Sequence, residues 1–187
     1  MTLNEIAAKY IGITEKPNNG GFSDPEFEAR MKKDGEWQKG WAWCCCFVQL
    51  CVMEWLSTMP ILPNTLHEIA KRNGLYSVLD KAITPSVKGT FDNLLALGFI
   101  LYKEPKVGDL VIWLTFKNDK PTGTGHVGIA NQVTLNNLMY PFTSVEGNTN
   151  AKGEREGNCV AERERGYLWN TKNGLRLMGF VRLEDRL

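Results

Sequence analysis

Apolar residues recur along the first half of the chain at three- and four-residue spacing, and after Pro105 they gather in short runs rich in β-branched and aromatic residues. The first rhythm predicts helices. Leu3, Ile6, Ala7 and Tyr10 lie on one face of a segment over 2–10, which starts on the capping-box pair Thr2 and Glu5 and stops near Gly12. Asn18-Asn19-Gly20-Gly21 reads as a loop. Ser23-Asp24-Pro25 then opens a helix that runs to about residue 34, with proline in its first turn. After a turn at Lys39-Gly40, residues 44–57 are apolar nearly throughout, with Cys44, Phe47, Val48, Cys51 and Trp55 on one face, which predicts a buried central helix. Two further helices are expected over 65–73, ended by Gly74, and over 90–97, ended by Gly98.

The second rhythm predicts strands over 110–116, 127–134, 139–145, 159–165 and 175–183, with a polar loop over 147–158. Helices first and an antiparallel sheet second give the class α+β. With 187 residues, no repeat and no interdomain linker, residues 1–187 are expected to form a single domain.

Composition narrows the partners. Lys and Arg number 22 against 21 Asp and Glu, so no global field draws the chain to nucleic acid or to an anionic membrane. No apolar run approaches the ~20 residues that span a bilayer, and Met1-Thr2-Leu3-Asn4-Glu5 lacks the basic-then-apolar order of a signal peptide. The expectation is synthesis in the cytoplasm and, for any work outside it, another export route. Five cysteines, three of them consecutive, suit neither a disulfide framework nor a tetrahedral zinc site.

Those cysteines carry the chemistry. Cys44 falls at the predicted start of the central helix, directly after Trp41 and Trp43, where unpaired N–H groups and partial positive charge favour thiolate. Cys45, Cys46 and Cys51 lie farther in and are expected to pack as small hydrophobes. A thiol nucleophile needs a base, and the chain has two histidines. His67 belongs to an exposed helical stretch and is expected on the surface. His126 opens the strand Gly125-His126-Val127-Gly128-Ile129-Ala130, a rigid platform that another backbone or a substrate can approach closely. An imidazole that accepts and returns a proton works best with a third group holding its ring. Glu146 and Asn148, at the end of the next strand, come beside His126 if the two strands pair as neighbours.

In order along the chain, Trp43-Cys44-x-x-Phe47-Val48, Gly108-Asp109-Leu110-Val111, Gly125-His126-Val127-Gly128-Ile129 and Glu146-Gly147-Asn148 resemble the CHAP amidase/endopeptidase family, within the papain-like cell-wall hydrolases that include NlpC/P60. Gly12-Ile13-Thr14-Glu15-Lys16-Pro17 is similar to the lead-in of phage and prophage members. The resemblance implies a papain-like fold with the nucleophile helix on an antiparallel sheet. It assigns Cys44 as nucleophile, His126 as base, Glu146 as the group orienting it and Asn148 as a further polar residue of the site. The implied substrate is the stem peptide or cross-bridge of peptidoglycan, reached after phage lysis, virion delivery or secretion by a chain acting as a monomer. Where the family has small residues after the nucleophile, this chain has Cys45 and Cys46. Some members bind calcium through an acidic loop; Asp24, Glu26 and Glu28 read more simply as the first turns of a helix, and no metal or cofactor is expected. Trp41, Trp43 and Trp113, with Trp37, are candidates to line a substrate groove, and Arg163 and Arg165 in the charged segment 152–165 to contact the stem peptide. Rival readings are a non-catalytic wall-binding or virion module, and a thiol acyltransferase or deamidating toxin on the same scaffold.

Overall fold

The computed structural model describes residues 1–17, 20–58, 66–134, 139, 141–149, 157–169 and 171–186. Among these the chain is α+β, with helices α1 (Leu3–Ala8), α2 (Pro25–Lys33), α3 (Cys44–Thr58), α4 (Leu66–Ala82) and α5 (Val87–Ala96) preceding the sheet. The strands are β1 (Leu101–Tyr102), β2 (Leu110–Lys117), β3 (Lys120–Val133), β4 (Phe142–Thr149), β5 (Cys159–Arg165) and β6 (Gly174–Val181). They form one six-stranded antiparallel sheet in the order β1-β6-β2-β3-β4-β5. No helix among the described residues is long and apolar enough to cross a membrane.

Alternation along the strands sends residues to two layers. Leu110, Ile112 and Leu114 of β2, Val127 and Ile129 of β3, Val145 of β4 and Val160 of β5 face the helices and share one core with them. Val111, Trp113, Ala130, Phe142, Leu177 and Phe180 form a smaller apolar cluster. Helix α3 runs through the main core and is buried on all sides from Cys44 to Leu56, which explains why its sequence is apolar nearly throughout rather than on one stripe. Its one buried carboxylate, Glu54, is held by Lys9, by the Tyr10 hydroxyl at 2.5 Å and by Arg30 at 2.9 Å, so a single charge ties α1 and α2 to α3. At the other end of the core Asp109, 1% exposed, accepts the Lys106 N–H at 2.7 Å and both prongs of Arg182 at 3.0 and 2.9 Å. The Gly108-Asp109 block thereby staples the entry of β2 to the exit of β6.

Boundaries differ from the sequence reading in several places, among them α5, which begins at Val87 rather than at 90. Helix α4 does not end at Gly74 but continues to Ala82. A mid-helix glycine costs only about 1 kcal/mol against alanine, and the turns beyond it bury Leu79 and Ala82. Strand β3 begins at Lys120 rather than at 127, because Asn118 and Asp119 both adopt left-handed φ (51° and 61°) and close a two-residue hairpin from β2. His126 therefore stands inside a long strand. Glu146, Gly147 and Asn148 belong to β4, not to a loop; Asn18, Asn19, Thr65, residues 150–156 and the side chain of His67 lie outside the described residues.

Candidate active site

The start of α3 is fixed by Trp43. Its carbonyl accepts the Phe47 N–H at 2.9 Å, so the helix begins with Cys44 and the N–H groups of that first turn precede the helical ladder. The Trp43 ring is 0% exposed, packs edge-on against Phe22 and Phe47, and donates its indole N–H to Glu15 at 2.9 Å. Glu15 is itself bridged to Phe22 by a β-bridge, so the lead-in segment anchors the helix start.

The sheet opens where that helix arrives. The β3–β4 ladder ends at Ile129 opposite Val145, and a bulge carries β4 from Glu146 to Thr149. Gly147 in this bulge lies directly on the helix: a Cβ there would stand 2.6 Å from Phe47 Cβ and from Trp43 Cζ3. Asn148 follows with left-handed φ of 54°. Cys44, 6% exposed, thus meets β3 and β4 at their split end, where His126 and the Val127 N–H both act to lower its thiol pKa. On the other side of the imidazole, Nε2 is 2.8 Å from Glu146 Oε2, which leaves Nδ1 as the nitrogen for the sulfur.

Glu146 is fully buried and saturated with donors. Ser144 Oγ donates to Oε1 at 2.5 Å, Arg165 Nε to the same oxygen at 2.7 Å, and Arg165 Nη2 to Oε2. The Arg165 guanidinium lies 5.1 Å from the centre of the Trp113 ring, which in turn packs at 5.9 Å from the ring of His126. A continuous chain results: Cys44, His126, Glu146, Arg165.

Charge distinguishes the three consecutive thiols. Hydrogen bonds from Cys45, then from His126 and Val127, together with the His126 charge, outweigh burial and hold the Cys44 thiol well below its usual range. The same hydrogen bond to Cys44, with burial, pushes Cys45 well above it; burial and the Cys44 charge push Cys46 up to about 12. Burial and Glu54 raise Cys51 as well. Burial disfavours the charged forms of His126 and Glu146, yet their mutual attraction prevails. The imidazole is pushed up to about 10 by Glu146 and Cys44, and the Glu146 carboxyl is held down to about 2 by His126 and Arg165. The shifts favour an ionised Cys44 beside a protonated His126, backed by the Glu146 carboxylate and the Arg165 guanidinium.

Of the residues singled out from sequence, Cys44, His126 and Glu146 are brought together, with His126 Nε2 2.8 Å from Glu146 Oε2 and His126 acting on the Cys44 thiol. Asn148 is buried two positions past Glu146; the carboxylate, not this amide, engages the imidazole. Trp43 and Trp113, candidates for substrate contact, are 0% and 2% exposed and support the helix start and the His126–Arg165 pair instead. Trp37 is buried too, its indole N–H on the Trp41 carbonyl at 3.2 Å, while Trp41 is 39% exposed. Arg165 turns inward to Glu146. Cys45 does more than fill space, since it hydrogen-bonds Cys44. Asp24 caps α2, accepting the Glu26 and Phe27 N–H groups at 2.8 and 3.0 Å, and Glu28 accepts from Lys32 and the Phe22 N–H. Among the described residues no group of three or more His, Cys, Asp or Glu is placed to hold a metal ion.

Sequence reading missed Arg165 and Ser144 as partners of Glu146. Ser144 had a visible signal, since it lies two residues before Glu146 on the same face of a strand. Arg165 was hidden in a run of alternating charges.

Family models, curated proteins and solved structures offer no match to this chain. What the site can do rests on its own atoms.

Proposed function

We propose that this chain is a cysteine hydrolase of peptidoglycan, papain-like in layout, cleaving an amide bond in the peptide part of the wall as an endopeptidase or an N-acetylmuramoyl-L-alanine amidase. The observation that carries it is the Cys44–His126–Glu146 chain at a helix N-terminus, with the His126 Nε2 to Glu146 contact at 2.8 Å. A packed core has no use for a thiol whose ionisation a neighbouring imidazole favours. The choice of peptidoglycan rests on the four ordered sequence blocks that resemble the CHAP family.

The Cys44 thiolate adds to the amide carbonyl, and the N–H groups of the first turn of α3 receive the developing oxyanion. His126 gives its Nδ1 proton to the leaving amine, and the C–N bond breaks to leave a thioester on Cys44. Neutral His126 then takes a proton from water, whose oxygen attacks the thioester; the acid product leaves and the thiolate–imidazolium pair is restored. Glu146 holds the imidazole with Nε2 protonated throughout, so Nδ1 is the nitrogen that exchanges the proton. Wild-type protein is expected to clear a suspension of purified cell-wall sacculi and Cys44→Ala is not. Equal clearing by the alanine variant would overturn the assignment.

A further inference from the structure

Arg165 stands outside every motif that led to the site, yet it makes more contacts with Glu146 than His126 does. Its Nε reaches Oε1 at 2.7 Å and its Nη2 reaches Oε2, the oxygen that also holds His126. The guanidinium is packed over Trp113 of β2, opposite His126 in the β2–β3 register. The groups that face the carboxylate are therefore few: His126 of β3 with Cys44 of α3 behind it, Ser144 of β4 at 2.5 Å, and Arg165 of β5, with Arg163 of β5 opposite Ser144. A two-pronged fork of this kind sets the plane of a carboxylate as well as neutralising it.

We propose that Arg165 is a positioning residue of the site: its guanidinium fixes the plane and the charge of the Glu146 carboxylate, so that the proton between Glu146 and His126 stays on the imidazole and the Cys44 sulfur keeps a cation beside it. This rests on the reading of Cys44 as nucleophile. Without Arg165, His126 is the one cation shown in contact with the fully buried Glu146 among the described residues. Proton transfer from His126 to Glu146 then replaces an ion pair by a neutral one, which burial favours. A neutral imidazole no longer stabilises the thiolate, and the thiol returns towards its ordinary range.

The test is the rate of Cys44 alkylation by iodoacetamide against pH, with the modified residue identified by peptide mass spectrometry and folding checked by circular dichroism. Wild type should alkylate at Cys44 down to acidic pH. In Arg165→Gln the acid limb should move up by about one pH unit or more, a tenfold or greater loss of rate on that limb. Arg165→Lys keeps the charge without the fork, and its limb should rise by about half a unit. A folded Arg165→Gln protein whose limb is unmoved or lowered overturns the proposal. If Arg165→Gln does not fold, the lysine variant decides alone: a raised limb supports the role and an unmoved one overturns it. An ordinary thiol profile in wild type would instead sink the reading of Cys44 itself, so the two failures are distinguishable.

Discussion

Gly147→Ala puts the contact between β4 and α3 under direct test. The added Cβ would stand 2.6 Å from Phe47 Cβ, 2.6 Å from Trp43 Cζ3 and 2.8 Å from Phe47 Cγ. Carbon atoms pack at about 3.5–4.0 Å, so the overlap is roughly 1 Å on three atoms. None can yield cheaply. Phe47 Cβ is bonded to the helix backbone, and the Trp43 ring is fully buried and tethered to Glu15 at 2.9 Å. Either β4 or the first turn of α3 must move. Overpacking of this kind costs about 1–3 kcal/mol, which for a domain of this size lowers Tm by about 2–12 °C. A shift of about 1 Å also separates Cys44 from His126 and should slow Cys44 alkylation at neutral pH more than tenfold. Gly74→Ala is the internal control, because nothing lies within 4 Å of its added Cβ in the middle of α4. It should gain about 0.5–1 kcal/mol. Denaturant titrations of the three proteins would compare midpoints at constant slope. Wild-type stability and thiol reactivity in Gly147→Ala would refute the reasoning, since α3 would then not be held against the bulge.

Glu146→Gln should lower kcat/KM on peptidoglycan fragments by about 10²–10³, read by amine release, because the imidazole loses the group that holds its Nε2 proton; a loss below threefold would contradict the role. Cys46→Ala should leave the pH profile of Cys44 alkylation unchanged, whereas Cys45→Ala should move its acid limb upward, since Cys45, unlike Cys46, acts on the sulfur through a hydrogen bond; identical profiles would contradict this. Stability should decline as pH falls from the ordinary carboxyl value of 4.5 towards about 2, because Glu146 is ionised in the fold where an unfolded glutamate is already protonated. Urea midpoints across that range should fall less steeply in Glu146→Gln than in wild type, and parallel curves would count against the shift. On the alkaline side His126 stabilises the fold fully below 6.5 and loses that contribution by about 10, while the depressed Cys44 thiol works in the opposite sense. Wild-type stability should therefore change little between pH 7 and 9; a steep fall there would show that the two shifts do not offset each other.

The legible parts of this chain were those set by local chemistry. Asp24 and Pro25 started α2, the capping pair Thr2 and Glu5 started α1, and β5 was read to its residue limits, because caps and strand patterns act within a few residues. Gly74 misled, since a local penalty was outweighed by burial at Leu79 and Ala82 that only the packed fold supplies. The same limit governed the site. Position at a helix start singled out Cys44, and strand adjacency brought His126 to Glu146. The tryptophans beside the nucleophile read as groove residues although the fold uses Trp43 and Trp113 inside, because an aromatic ring carries no local mark of which side of a wall it lines. Arg165 was illegible for a related reason: in Glu162-Arg163-Glu164-Arg165 nothing local tells which charge turns inward, and that depends on the β4–β5 register that sets Arg165 opposite Phe142.

Digestion of purified peptidoglycan in ¹⁸O-labelled water, followed by mass spectrometry of the soluble products, tests the central claim most directly. Wild-type protein should release fragments that carry a new amine on one side of the cut and one ¹⁸O in the new carboxylate on the other, and Cys44→Ala should release none. Labelled fragments from the alanine variant, or no fragments from the wild type, would contradict a Cys44-dependent amide hydrolase of the cell wall.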